Sequence, residues 1–244
     1  MTQDQKPQKV GYAKSIAQKI TWYSPVSQIY CKARPPYPIR HVKQAATLAQ
    51  LSSESSILEI GCGPGNATVA FAQLGCTMTC LDPNQEFCEL VRSNCASYPQ
   101  VEAHQTSFEQ WHPDSMQSYD AVLCANAFHW LEPEIKYAKI SEILKNDGHL
   151  VLLWNLTPEP DYEIYKRLEE VYAEHAPSLV RYEGKAGQLE ILERFKQEIL
   201  DSGYFEKPIG EITPCNITYS IDDYLNLLRT HSELNYWIVH CLCA

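Results

Sequence analysis

Apolar and polar positions along this chain follow two rhythms that alternate from about residue 40 to residue 155. His41 to Leu51 carries apolar residues at Val42, Ala45, Ala46, Leu48 and Ala49, the spacing of an amphipathic helix. Ser55 to Ile60 is a short apolar run that predicts a strand ending at a glycine cluster. Asn66 to Leu74 predicts a helix, with Gly75 where a helix C-terminus favours glycine. Thr77 to Leu81 predicts a second strand, Gln85 to Ser97 a helix and Val101 to Gln105 a third strand. Tyr119 to Cys124 follows as a fourth strand. Pro133 to Leu144 predicts a helix halting before Asn146-Asp147-Gly148, and His149 to Trp154 a buried fifth strand. The rhythm then changes. Asp161 to Glu174 and Gln188 to Asp201 both have helical spacing; in the second, Leu189, Leu192, Phe195, Ile199 and Leu200 share a face. Ile209 to Ile212 and Asn216 to Tyr219 predict two short closing strands, and Ile221 to Arg229 a last helix. Asn235 to Ala244 has no clear pattern.

Strands separated by helices pair in parallel through right-handed crossovers. The expected fold class is therefore α/β: a doubly wound, mostly parallel, seven-stranded Rossmann-like sheet with a helical insertion after the fifth strand. The length of 244 residues suits one such domain. Residues 1–21 are expected to form an arm, and residues 22–244 a single domain with a helical cap at about 157–203.

Charge narrows the function classes. The formal net charge of −10 argues against nucleic acid as a partner, since phosphate neutralisation needs clustered Lys and Arg. The basic residues are nonetheless concentrated early: residues 1–43 hold Lys6, Lys9, Lys14, Lys19, Lys32, Arg34, Arg40 and Lys43 against Asp4 alone. No run of about 18 apolar residues is present, so no membrane partner is expected. The 10 cysteines are scattered and, with no secretory leader recognised, read as reduced thiols of a cytoplasmic protein. Cys76 and Cys80 lack a matching second pair, so no metal is expected. A monomer or homodimer acting on a small molecule fits this composition.

The candidate chemistry lies in Glu59-Ile60-Gly61-Cys62-Gly63-Pro64-Gly65-Asn66, placed at the C-terminal end of the first strand, where open parallel sheets bind small ligands. Glycines let the chain turn sharply and let a ligand approach the backbone. Pro64 removes an amide donor, which suits a nucleoside with an amino-acid tail better than a pyrophosphate. Asp82 follows the second strand, where a carboxylate can accept both hydroxyls of a ribose. A glycine triplet alone leaves dinucleotide enzymes in contention. Here the third glycine comes one residue after the second, and Asn66 stands where the dinucleotide pattern wants Gly or Ala.

Acidic residue, then Gly-x-Gly-x-Gly, resembles the first motif of class I S-adenosylmethionine-dependent methyltransferases: Glu59, Gly61, Gly63 and Gly65, with Asp82 matching the acidic residue of the second motif. Ser107-Phe108-Glu109 follows the third strand, where this family contacts adenine. Ala125 to Trp130 follows the fourth, where it meets cofactor and substrate. Tyr30 to Pro38, read as Tyr-x-x-x-Arg-Pro-x-Tyr-Pro, resembles the entry segment of small-molecule enzymes similar to trans-aconitate methyltransferase.

The resemblance implies S-adenosyl-L-methionine as cofactor and transfer of its methyl group to a small molecule, with oxygen of a carboxylate or hydroxyl as the favoured acceptor. The implied cofactor-binding residues are Glu59, Gly61, Cys62, Gly63, Gly65, Asp82, Pro83, Ser107, Phe108, Glu109, Asn126 and Arg34. Asp82 would hold the ribose, Glu59 would support the turn, Phe108 would stack on adenine and Arg34 would pair with the cofactor carboxylate. Tyr30, Tyr37, His129 and Trp130 are expected around the substrate, with His129 as a general base if the acceptor carries a proton. The alternatives are an NAD(P)-dependent oxidoreductase and a non-catalytic cofactor-binding protein of the same fold.

Overall fold

The computed structural model describes residues 21, 23–113, 118–156 and 158–231. The arm expected at 1–21 and the unpatterned stretch 235–244 fall almost wholly outside these residues. The described chain contains five strands: β1 (Ser56–Ile60), β2 (Thr77–Asp82), β3 (Val101–Gln105), β4 (Tyr119–Ala125) and β5 (Leu144–Leu153). All pair in parallel, in the order β3-β2-β1-β4-β5. The helices are α1 (Ser27–Ala33), α2 (Ile39–Leu48), α3 (Thr68–Ala72), α4 (Gln85–Asn94), α5 (Pro133–Ile143), α6 (Tyr162–His175), α7 (Gly184–Asp201) and α8 (Ile221–Arg229).

The side-chain alternation of the strands divides the core into two layers. Ile57, Met78, Ala121, Leu123 and Val151 face Val42, Phe71 and Val91 of α2, α3 and α4. Leu58, Ile60, Leu81, Val122 and Cys124 face Phe128 and, on α5, Ile140 and Ile143. Burying each such large apolar side chain stabilises the fold by roughly 1.5–3 kcal/mol before the cost of ordering it. The sheet is thus covered on both faces, with α3 and α4 on one side and α5 on the other. The chain runs β1 to β3 in one direction and then crosses back to β4 beside β1. This makes the C-terminal ends of β1 and β4 the point where the winding reverses.

Two expectations are corrected. The closing strands at Ile209–Ile212 and Asn216–Tyr219 are irregular chain, so the described sheet has five strands rather than seven. Pro208 and Pro214 bracket the first segment and cannot donate to a ladder. Ile209 is 82% exposed, so its side chain finds no sheet to cover. Helices α6 and α7 lie within the 157–203 span but follow the described sheet rather than interrupt it. The second correction concerns β5, which begins at Leu144 rather than His149. Tyr119 pairs with Leu144 and Ala121 with His149, so the chain between them bulges out opposite Asp120 and carries Asn146-Asp147-Gly148 within it.

Helix ends agree with local chemistry. Asn84 caps α4, its Oδ1 accepting the Phe87 amide at 2.9 Å. Ser220 caps α8 by accepting the Asp223 amide at 3.1 Å. Gly75, at φ +93°, ends the turn after α3 as its sequence position predicts.

Candidate functional site

The glycine turn leaves β1 in left-handed conformations, with φ of +68° at Gly61, +54° at Gly63 and +92° at Gly65. Gly61 is doubly constrained. A Cβ there would lie 2.6 Å from the Cβ of Ala127, so the turn after β1 packs against the turn after β4 with no room for a side chain. At Gly63 a Cβ would meet nothing within 4 Å, so that position opens onto free space.

Asp82 closes the turn from the neighbouring strand. Its Oδ2 accepts the Gly63 amide at 2.9 Å and its Oδ1 accepts the Asn84 amide at 2.9 Å. Burial pushes its carboxyl up to about 6, while the two amides hold it back. Glu59 lies beneath the turn on the α3 side of the sheet. It is fully buried, and its Oε2 accepts from Thr68 Oγ1 at 2.6 Å. Burial raises its carboxyl to about 8, the hydrogen bonds of Thr68 and Cys80 opposing the rise. Glu59 therefore supports the turn from behind and lines neither of the two cavities beside it. Cys62 is buried in the turn, and contact with Cys80 followed by burial holds its thiol well above the ordinary range.

The two turns open on one cavity of about 380 Å³. Gly61, Gly63, Asp82 and Pro83 form its β1–β2 wall, and Ser107, Phe108 and Glu109 its floor beyond β3. Asn126, His129 and Trp130 form the wall beyond β4, and Tyr30 and Arg34 of the entry segment a further side. Tyr37, Cys62 and Pro64 line a smaller adjoining cavity of about 50 Å³. Of the residues singled out from the sequence, these are brought together; Glu59 and Gly65 line neither cavity, Glu59 standing behind the turn and Gly65 packing close to Val91 of α4.

Several have defined partners. Asn126 adopts φ +54° and is locked at both ends. Its Oδ1 accepts from Tyr37 Oη at 2.6 Å and from the Asn155 amide at 2.8 Å, and its Nδ2 donates to the Asn155 carbonyl at 2.8 Å. Arg34 donates through Nε to Thr230 Oγ1 at 2.9 Å and through Nη2 to the Thr230 carbonyl at 3.0 Å, tying α1 to the end of α8. Its guanidinium also lies 5.1 Å from the Tyr30 ring centre. Phe108 is buried with the Lys139 ammonium 4.7 Å from its ring centre. Burial, helped by the positive Lys136, lowers His129 to about 4, so its imidazole is neutral at physiological pH and weakly basic.

The sequence reading missed the other half of the cavity. Tyr165 and Tyr172 of α6, Tyr182, Tyr224 and His231 all line it. The signal was present in the seven-residue spacing of Tyr165 and Tyr172, which places both rings on one helical face. That spacing serves a core equally well and names no cavity. Tyr23, Asn84 and Phe87, also missed, complete the wall around Asp82.

Known proteins resemble the part of the chain that builds this arrangement. Residues 57–148 match the family model described as a methyltransferase domain. The chain is 30% identical over 130 residues to an uncharacterized methyltransferase of Mycobacterium tuberculosis, covering 53% of this chain and 50% of that protein. It is 29% identical over 124 residues to a thiol S-methyltransferase of Rattus norvegicus, covering 48% and 49%. It also aligns, at a TM-score of 0.42 and 26% identity, with the crystal structure of coclaurine N-methyltransferase bound to N-methylheliamine and SAH, over 47% of this chain and 34% of that one. The chain spans about half the length of the curated relatives it matches.

Proposed function

Since this chain carries a class I S-adenosylmethionine-dependent methyltransferase domain, we propose that it binds S-adenosylmethionine across the β1 and β4 turns and transfers the methyl group to a small molecule held in the same cavity. The observation that carries this reading is the Gly61–Gly65 turn, latched to Asp82 and opening on the cavity at the point where the sheet's winding reverses.

The residues present fit this cofactor. A carboxylate oxygen accepts more than one hydrogen bond, so Asp82 can hold a ribose while keeping the Gly63 and Asn84 amides. Ser107, Phe108 and Glu109 line the cavity where adenine would lie, although the Phe108 ring itself is buried beneath Lys139 and offers little face for stacking. Arg34 spends Nε and Nη2 on Thr230 and keeps Nη1 for the cofactor carboxylate. The bound cofactor supplies a methyl group made electrophilic by an adjacent sulfonium. The protein's task is then alignment of an acceptor with that methyl in a site that excludes water. His129 and Trp130 stand on the wall where the acceptor must approach. A weakly basic His129 contributes a neutral hydrogen-bonding wall more readily than proton abstraction, because a general base works best with a pKa near the working pH.

A dinucleotide fits less well. Pyrophosphates bind at exposed helix N-termini, whereas α3 has only five residues and Ala67 and Thr68 at its start are buried. Thr68 is also committed to the Glu59 carboxyl. Oxygen is the acceptor atom suggested by the sequence, and sulfur is its rival through the thiol S-methyltransferase relative. Incubating the protein with S-adenosylmethionine and a panel of hydroxyl, carboxyl, thiol and amine compounds tests the reading by mass spectrometry. Gain of one CH2 by a small molecule, with stoichiometric S-adenosylhomocysteine, is expected. Binding of S-adenosylmethionine with no transfer to any member would favour a cofactor-binding protein without turnover.

A further inference from the structure

The cavity has two chemically different ends. Around Asp82 it is polar and glycine-built. Elsewhere Tyr165 and Tyr172 of α6, Tyr182, and Tyr224 of α8 make a wall of rings, with Trp130 also lining the cavity. These tyrosines pack on one another: Tyr165 and Tyr182 have ring centres 5.0 Å apart, Tyr165 and Tyr172 6.4 Å, and the Tyr172 and Tyr224 hydroxyls are 3.3 Å apart. Such a cluster fixes ring orientation at little further entropic cost.

The charged groups here have partners of their own. Arg181 pairs with Glu183 through Nη2 and Oε1 at 2.6 Å. Glu159 accepts the Glu183 and Gly184 amides at 2.7 and 3.0 Å and Gln188 Nε2 at 3.2 Å. His231 is held at about 4, mainly by burial and further by Arg34 and Arg181, and is therefore neutral. Around the whole cavity Asp82, Glu109, Glu159 and Glu183 outnumber Arg34 and Arg181. An anionic acceptor would meet a net negative surround, with Arg34 tied in part to Thr230 and Arg181 paired with Glu183.

We propose that the tyrosine-walled end is an acceptor subsite for a flat aromatic molecule that is neutral or positively charged, and that it discriminates against carboxylates. This rests on the methyl-transfer reading above and sharpens it, setting aside the carboxylate among the acceptors expected from the sequence. Ring faces attract aromatic edges and cations, and they offer a carboxylate nothing. The neighbouring acidic side chains add repulsion.

The test uses the full chain saturated with S-adenosylhomocysteine, titrated calorimetrically with three ligands that share one ring: para-ethylphenol, tyramine and para-hydroxyphenylacetate. Cyclohexylethylamine serves as the control that keeps the charge of tyramine without its ring. The first two are expected to bind roughly tenfold tighter than the carboxylate and tyramine roughly fivefold tighter than its saturated control. Tyr165→Leu and, as a less buried second variant, Tyr182→Leu should each weaken para-ethylphenol and tyramine roughly fivefold while S-adenosylhomocysteine affinity holds. Equal or tighter binding of the carboxylate, no binding of any ring ligand to the S-adenosylhomocysteine complex, or unchanged affinities in both variants would overturn the proposal. Failure of S-adenosylhomocysteine itself to bind is a separate result, and it removes the methyl-transfer reading on which the proposal stands.

Discussion

Gly61 and Gly63 differ in what forbids a side chain, and that difference is measurable. Both need a left-handed backbone, which costs an L residue roughly 1–2 kcal/mol. Only Gly61 also faces a collision, its added Cβ lying 2.6 Å from Ala127 Cβ. Gly61→Ala should therefore lower the melting temperature clearly more than Gly63→Ala, by a further 1–3 kcal/mol or so at the unfolding midpoint. Equal losses in thermal denaturation would mean that the two turns do not touch. These glycines could be read from the sequence because backbone geometry, which admits few residue types, dictates them. The partner of Arg34 could not be read. Thr230 lies 196 residues away, and nothing in the local sequence distinguishes a guanidinium aimed at a ligand from one aimed at a helix end. The burial of Glu59 was half legible: its place at the strand end was clear, but its direction depended on which face α3 covers.

At the scale of elements, α4 joins secondary structure directly to the site. Asn84 caps the helix through Phe87, its amide bonds Asp82, and its Nδ2 donates to Ser24 Oγ at 2.9 Å. Asn84→Ala removes the cap and the Ser24 contact but leaves the backbone amide. It should cost about 1 kcal/mol in chemical denaturation, and Asn84→Asp should recover most of the cap. No loss in the alanine variant would show that α4 is fixed by packing alone. The parallel strands were legible because burial on both faces demands short, nearly continuous apolar runs such as Ile57-Leu58 and Val122-Leu123-Cys124. The segments around Ile209 and Ile217 have similar β-forming residues yet form no strand, since a strand needs a neighbour and sequence pattern cannot supply one. In β5, the turn residues Asn146-Asp147-Gly148 imply an interruption. The ladder instead resumes beyond them, because Leu144 still pairs with Tyr119. The ring-walled end of the cavity was not read from the sequence because α6, α8 and the chain around Tyr182 converge only in three dimensions.

For the molecule as a whole, buried ionisable groups set opposite pH trends. The Glu59 carboxyl, ordinarily near 4.5, is raised to about 8 in the fold. Between those values the folded state binds more protons than the unfolded state, so stability falls as pH rises. His129 and His231 are lowered from 6.5 to about 4, which makes stability rise with pH up to about 6.5. Asp82, raised from 3.8 to about 6, opposes them within that lower range. Only above about pH 7, where the histidines of the unfolded chain and Asp82 of the folded one have largely lost their protons, does Glu59 dominate. Stability should decline there with a slope of up to about 1.4 kcal/mol per pH unit. Glu59→Gln should flatten the decline, and an unchanged slope in urea denaturation across this window would show that Glu59 is not its source.

In the proposed function the turn at Gly61–Gly65 and Asp82 receives S-adenosylmethionine. Calorimetric titration of the full chain with S-adenosylhomocysteine, and in parallel with NAD, tests it most directly. Saturable binding of S-adenosylhomocysteine is expected, weakened roughly tenfold or more by Asp82→Ala, the scale of losing charge-assisted hydrogen bonds, with no binding of NAD. Saturable binding of NAD with none of S-adenosylhomocysteine would contradict it.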